Sequence, residues 1–287
     1  EKEILENQHL MHGSGVALGD VNGDGWVDIY MARIREPNVL YINKGNWVFE
    51  DKTTPAGVAC GSRYSTGSVF ADVDGDRDLD LIVTALGGPN SLFINDGSGV
   101  FTESFLPSKL DNPGSTSSAL ADVDNDGDLD LYITNYKRLA MRDSLPPPVI
   151  SFENTLMELT NNRWIVMPPY NQHYETEVRD NILLRFEMAE VDHFYINNGN
   201  GEFEFEDITQ RRFSDENGNP INHHLRDWGL TAQFRDINND SHPDIYICND
   251  FESPDRIWIN NGDGSFRAMN NLAIRHTSNS SMAVDFS

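Results

Sequence analysis

The chain has 287 residues, with 46 acidic against 21 basic side chains and a formal net charge of −25. That balance sets it against a nucleic-acid or anionic-membrane partner. Apolar residues make up 38% and aromatic residues 10%, enough for a packed core and too much for an acidic disordered chain. No apolar run approaches the roughly 18–20 residues that span a bilayer.

Taken in chain order, the sequence repeats itself. Four segments align: Asp20-Val-Asn-Gly-Asp-Gly-Trp-Val-Asp28, Asp72-Val-Asp-Gly-Asp-Arg-Asp-Leu-Asp80, Asp122-Val-Asp-Asn-Asp-Gly-Asp-Leu-Asp130 and Asp236-Ile-Asn-Asn-Asp-Ser-His-Pro-Asp244. Each runs into a short apolar stretch that reads as a strand covered on both faces. A second signature follows in each copy, at Ile42-Asn43, Ile94-Asn95, Ile196-Asn197 and Ile259-Asn260. A glycine stands two residues beyond the asparagine, and an aromatic follows at Phe49, Phe101, Phe203 or Phe266. Asn and Gly between apolar runs predict a hairpin, since both tolerate positive φ. The unit is about 50 residues of β-structure, a period that suits a four-stranded propeller blade. The expected fold is therefore all-β, a single β-propeller over 1–287.

The third copy carries about 52 extra residues between its apolar stretch and its hairpin (81 from Asp122 to Phe203, against 29 from Asp20 to Phe49). Residues 137–191 are therefore an insertion in the third repeat. The stretch Ser280–Ser287 matches the run-up to a further acidic loop, so the expectation is four blades and part of a fifth, from a longer protein. The opening Glu1-Lys2-Glu3 is no signal peptide. Cys60 and Cys248 allow one bridge at most, and read more simply as free, partly buried thiols.

The acidic loops have the chemistry of calcium sites, which need about 6–8 hard oxygen ligands. Positions 1, 3, 5 and 9 supply side-chain oxygens: Asp20, Asn22, Asp24, Asp28; Asp72, Asp74, Asp76, Asp80; Asp122, Asp124, Asp126, Asp130; Asp236, Asn238, Asp240, Asp244. Position 7 supplies a backbone carbonyl, from Trp26, Asp78, Asp128 or His242. Up to four Ca²⁺ ions are expected. An EF-hand is excluded at position 12, where that loop needs Glu and this chain has Met31, Val83, Ile133 and Ile247. Position 6 favours Gly, so Arg77 and Ser241 predict slight strain.

These segments, with Gly15-Val-Ala-Leu-Gly-Asp-Val-Asn-Gly-Asp-Gly25, Leu40-Tyr-Ile-Asn-Lys-Gly45 and Asp130-Leu-Tyr-Ile-Thr-Asn-Tyr136, resemble FG-GAP/VCBS-type repeats of integrin-α-like propellers. The nearer resemblance is to the cartilage acidic protein and ASPIC/UnbV group. It implies about seven blades in a full propeller, structural calcium and an extracellular, cell-surface or periplasmic setting. Adhesion, ligand binding and enzyme accessory roles all occur on such repeats. Trp47 departs from the pattern, because the other hairpins have a second Gly there.

Function is sought in the insertions. Residues 137–191 hold prolines, basic residues and aromatics, the mixture of a structured, partner-contacting loop. Eight residues before each loop stand His12, Tyr64, Gly114 and Trp228, with His223, His224 and Arg226 close to the last. They are candidates for holding a glycan or anionic group, against the plainer reading of inter-blade packing. A histidine metal site at His9, His12, His223 and His224 is a weaker alternative. No nucleophile elbow, His-Glu-x-x-His helix or Cys-x-x-Cys pair occurs. The expectation is a non-catalytic extracellular module binding a protein or glycan, with no membrane span. The alternative is a propeller domain of an enzyme acting on polysaccharide or lipid.

Overall fold

A computed structural model describes residues 13–61, 63–104, 106–107, 113–141, 145–146, 149–159, 163–206, 212–221, 223, 225–250, 253–270 and 281–285. The first antiparallel sheet is a meander of β1 (Val16–Gly19), β2 (Asp28–Met31), β3 (Val39–Asn43) and β4 (Phe49–Asp51). The second repeats it with β5 (Ser65–Ala71), β6 (Asp80–Ala85), β7 (Ser91–Asn95) and β8 (Phe101–Ser104). The third begins with β9 (Ser115–Ala121) and β10 (Asp130–Asn135). The chain then leaves for two separate hairpins, β11 (Leu156–Leu159) with β12 (Arg163–Val166) and β13 (Tyr174–Arg179) with β14 (Ile182–Glu187). It returns as β15 (His193–Asn197) and β16 (Phe203–Glu206) to complete the third sheet. In the fourth, β17 (Phe213–Ser214) adds in parallel to the outer edge of β18 (Gly229–Arg235), β19 (Asp244–Asn249), β20 (Arg256–Asn260) and β21 (Phe266–Ala268). Strands β1, β5, β9 and β18 lie side by side, and the sheets are the blades of a β-propeller.

The core lies between blades. Tyr30, Leu40 and Ile42 of the first blade pack on Leu81, Val83 and Phe93 of the second. Ile82 and Leu92 meet Leu131, Ile133 and Tyr195 at the next junction, and Tyr132 and Phe194 meet Trp258 and Phe266 at the last. Strands β6 and β10 are buried along their whole length because both faces serve a junction. The outer face of the first blade differs from the expectation of two-sided cover: Val16, Leu18 and Met31 are exposed.

Polar clasps set how each blade meets the next. Beside the acidic loops, the side-chain amides of Asn95, Asn197 and Asn260 donate to the carbonyls of Val21, Val73 and Val123 in the preceding blade, each at 2.8 Å. These asparagines are strand-end residues outside the positive-φ region; the glycines two residues on make the turn, with φ +80, +77 and +88. Their sequence signature is thus a clasp as well as a hairpin. Midway, the hydroxyls of Thr66 and Thr116 donate to the carbonyls of Ser115 and Gly229 in the following blade, at 2.7 and 2.8 Å.

At the opposite end a residue just before each third strand closes its own blade. Asn38, Asn90, Asp192 and Asp255 accept the backbone N–H of Arg33, Ala85, Asn135 and Asn249 at 2.7–3.0 Å. Asn38 and Asn90 also donate to Ser65 and Ser115 of the next blade, and Asp255 accepts from Ser281 at 2.7 Å. This places Ser281 where a first strand begins. Nothing in the sequence reading singled out these four residues, although each stands four places before the Ile-Asn pair.

Gly99, Gly201 and Gly264 face the preceding blade's acidic loop so closely that a Cβ at Gly264 would lie 2.9 Å from Asp124 Cβ. Trp47 occupies that place in the first blade, at φ +61 and 90% exposed.

Burial pushes the Asp192 carboxyl up to about 7, opposed by the N–H of Asn135 and the hydroxyl of Tyr132. A carboxyl raised in the folded state contributes stability that is full below its unfolded value and is lost as pH rises through 7. Asp192→Asn, the residue type of the first two blades, should match the wild type below about pH 4, under the unfolded value of 3.8. By pH 8 it should be about 2–4 kcal/mol more stable, read from urea unfolding at each pH.

Candidate metal centres

Each acidic loop is wound by its own first aspartate. Asp20 accepts the N–H groups of Asp24 and Gly25 at 3.1 and 2.7 Å, and Asp236 those of Asp240 and Ser241 at 3.0 and 2.9 Å. Asp122 takes Asp126 and Gly127, and Asp72 takes Gly75 and Arg77. The fifth-position carboxylates of Asp24, Asp76, Asp126 and Asp240 then accept the N–H of Trp26, Asp78, Asp128 and His242 at 2.9–3.0 Å. The side chains of these seventh residues lie over the hairpin glycines Gly45, Gly97, Gly199 and Gly262. Arg77 and Ser241 do adopt positive φ, +79 and +74, where Gly25 and Gly127 have +87 and +99. Loops two and four therefore hold the strain expected of them.

The ninth residue anchors the loop. Asp28, Asp80, Asp130 and Asp244 are at most 1% exposed. One oxygen of each accepts the N–H of the loop's second residue (Val21, Val73, Val123, Ile237) at 2.9–3.0 Å. The other accepts the N–H of Asn43, Asn95, Asn197 or Asn260 at 2.8–3.0 Å. Burial pushes Asp80 up to about 6 and Asp130 up to about 7, and the neighbouring carboxylates of positions 3 and 5 add to the rise. Asp28 and Asp244 shift the same way for the same first cause.

In loops two and three, Asp72, Asp74 and Asp80, and Asp122, Asp124 and Asp130, each bring one oxygen within 4.8 Å of the others. Asp124 Oδ1 is buried with no hydrogen-bond donor, and Arg212 lies 3.7 Å from its other oxygen. Convergent hard oxygens, one of them buried without a donor, fit a divalent cation. The like charges would otherwise repel.

The other candidates take separate positions. Tyr64, Gly114 and Trp228 do hold equivalent places: their carbonyls accept the N–H of Leu86, Tyr136 and Asp250 at 2.8–2.9 Å. The side chains of Tyr64 and Trp228 pack across blade junctions, which is the plainer reading of these positions. Tyr64 packs with Ile34 and Leu86. The Trp228 ring stands edge-on to Tyr136 at 4.7 Å, with Lys137 Nζ 5.8 Å over it. Arg226 donates to the Gln172 carbonyl at 3.4 Å, and His223 is exposed. His9, His12 and His224 lie outside the described residues. Cys60 and Cys248 are both free thiols.

The FG-GAP-like repeat pattern matches residues 20–83, 72–133 and 236–287, more than half of the chain. The chain belongs to the FG-GAP-like repeat family. This FG-GAP-repeat chain is similar to cartilage acidic protein 1 of Mus musculus and of Xenopus tropicalis, at 30% identity over 82 residues in each case. That stretch is 29% of this chain and only 13% of either relative's length. Among solved structures, an Agrocybe aegerita lectin recognising non-reducing terminal N-acetylglucosamine aligns over 88% of this chain and 65% of its own. The identity is 15% and the TM-score 0.33. The V. cholerae biofilm matrix protein Bap1 aligns over 90% and 60%, at 12% identity and a TM-score of 0.31.

The third and ninth aspartates should separate by mutation. In chelator, Asp130→Ala leaves two buried N–H groups without acceptors and should cost about 2–5 kcal/mol. Asp124→Ala should then be near neutral, because it removes an unsatisfied charge. Urea unfolding of both FG-GAP-repeat variants reads the difference. Equal costs would refute the division of roles.

Proposed function

We propose that this FG-GAP-repeat chain is a calcium-stabilised, non-catalytic extracellular interaction module whose insertion contacts the partner. The observation that carries the reading is the acidic loop itself. The third loop gathers carboxylates around the buried Asp124 oxygen, which has no donor, and its second residue is bonded to the next blade. Asp20, Asn22, Asp24 and Asp28, and their counterparts in the other three loops, would hold Ca²⁺, which supplies charge neutralisation and cross-linking of the loop. The residues themselves organise the loop backbone, and a bound ion strengthens the clasp that the same loop makes to its neighbour.

The relation to cartilage acidic protein 1 favours an extracellular setting. None of the described helices is long and apolar enough to cross a membrane. Partner contact is placed on residues 137–191 because the insertion leaves from the blade end opposite the acidic loops, between β10 and β15. Its own core forms around Met141, Leu156, Val166 and Tyr174. Its two ends are tied to each other at Lys137 and to the propeller at Glu190. Lys137, 5% exposed, donates to Glu187 and to the Met188 carbonyl, both at 2.8 Å. Glu190 accepts the N–H groups of Gly114 and Arg138 at 2.6 and 3.1 Å.

Thermal melting with and without a chelator tests the calcium reading. Each site filled at a hundredfold excess over its Kd adds about 2.7 kcal/mol. Chelation should lower Tm by on the order of 10 °C, with recovery on adding Ca²⁺ in excess. An unchanged Tm sinks it. A turnover screen on polysaccharide and lipid-ester substrates tests the non-catalytic part: the expected result is no turnover. Hydrolysis abolished by His223→Ala would reverse that part.

A further inference from the structure

Between Phe203 and Asp236 the chain takes 33 residues, where the two earlier copies take 23 and 21 over the same span. Part of this surplus is β17, which pairs with β21 on the outer edge of the fourth blade. Phe213 pins it there. Its side chain is 3% exposed, stacked on Phe266 and edge-on to Trp258, both at 5.1 Å. The Arg212 carbonyl accepts the N–H of Phe266, so the backbone of Arg212 is fixed beside the hairpin tip. Its side chain then reaches across the junction to the third acidic loop.

At that junction Nη1 of Arg212 donates to the Gly264 carbonyl at 3.3 Å and stands 3.7 Å from Asp124 Oδ2. A Cβ at Gly264 would lie 2.6 Å from Nη1, so glycine keeps the passage open. The same place at the second junction is apolar, because Ile94 Cδ1 is the group nearest the corresponding point of Gly201. At the first, the nearest groups beside Gly99 belong to Asn22 and Val21 of the loop itself. The guanidinium is therefore particular to loop three among these described junctions. A separation of 3.7 Å makes an ion pair without a hydrogen bond. It offsets charge without supplying a donor, and Oδ1 of the same carboxylate is buried without one. Burial holds the Asp124 carboxyl above its usual range, Asp126 adds to the rise, and Arg212 counters only part of it. The two side chains are 25% and 21% exposed, so solvent screens the pair weakly.

We propose that Arg212 is a built-in competitor of the cation at loop three. It steadies the loop's carboxylates when calcium is scarce and lowers the loop's affinity when calcium is present. The inference rests on the calcium reading of the acidic loops. Arginine stays protonated, so its charge is permanent. A carboxylate shared between that charge and a divalent cation brings two positive centres together, and their repulsion weakens binding. Because Phe213 anchors the backbone, relief comes from the side chain, which has a second acidic neighbour in Asp263. Ser265 holds the Asp263 carboxyl below its usual range, with a smaller contribution from Arg212. Loop three is thereby tuned to a higher calcium concentration than its four carboxylates alone would set.

The test titrates Ca²⁺ into the intact, chelator-treated chain and follows backbone amides by NMR. The N–H groups of Gly25, Gly75 and Gly127 are each bonded to the first aspartate of their loop, and so report loops one, two and three. Arg212→Gln should lower the Gly127 midpoint by roughly tenfold or more and leave Gly25 and Gly75 where they are. Arg212→Lys, which keeps the charge, should stay within about threefold of the wild type. In chelator, Arg212→Gln should melt below the wild type, and in saturating Ca²⁺ that difference should vanish or reverse. An arginine with a merely structural role would lower Tm equally in both conditions. A Gly127 midpoint unmoved by Arg212→Gln, or moved as far by Arg212→Lys, would overturn the competitor and leave the calcium reading standing. No response of any of the three amides up to about 10 mM Ca²⁺ would overturn the calcium reading, and this inference with it.

Discussion

Everything in this fold depends on how the second residue of each acidic loop is held. In the third loop, the N–H of Val123 is taken by the buried ninth-position carboxylate of its own loop. Its carbonyl is taken by Asn260 of the next blade. Its side chain, 0% exposed, lies in the apolar junction between the two blades. Val21 and Val73 are held in the same three ways. Loop conformation, blade junction and candidate cation site are therefore one mechanical unit. The aspartate at position 9 completes it by also capturing the hairpin asparagine's own N–H.

The magnitudes divide the labour. Burying one large apolar side chain contributes about 1.5–3 kcal/mol, and each junction buries several. A clasp of neutral hydrogen bonds contributes about 1 kcal/mol net, but leaving its groups unpaired costs more. Apolar contact thus supplies the cohesion, and the clasps decide register. That is why the same clasp recurs at 2.8 Å in three junctions whose apolar residues differ. Trp47 is the exception to the rule of small residues at the hairpin tip. Gly99, Gly201 and Gly264 all sit at positive φ, and a Cβ at Gly264 would press on Asp124 at 2.9 Å where one at Gly99 would make only ordinary contact.

The blade has two ends with different characters. The acidic loops and hairpin turns share one end, where the loop carboxylates gather. The insertion leaves from the other end, where Lys137, Glu187, Glu190 and Arg226 form a polar joint between hairpins and propeller. Trp228 serves that joint, in the inter-blade packing role that was the plainer reading of its position.

Much was legible in the sequence. The period of the acidic loops specified the blades, and alternate oxygens at positions 1, 3, 5 and 9 specified the candidate ligands, because both are local properties of a short stretch of backbone. Arg77 and Ser241 were readable as strained for the same reason. Tertiary structure alone decided that Asn95, Asn197 and Asn260 reach the preceding blade, because a hydrogen-bond partner some 70 to 140 residues away leaves no mark on local pattern. It also decided that Asn38, Asn90, Asp192 and Asp255 close the opposite end. Their spacing before Ile-Asn was visible, but their purpose was not, since the strand ends they bind come together only when the sheet forms. The relation between the insertion's two hairpins belongs to the same class. Two strands separated in sequence by a turn can pair, splay or face each other, and only packing chooses among these.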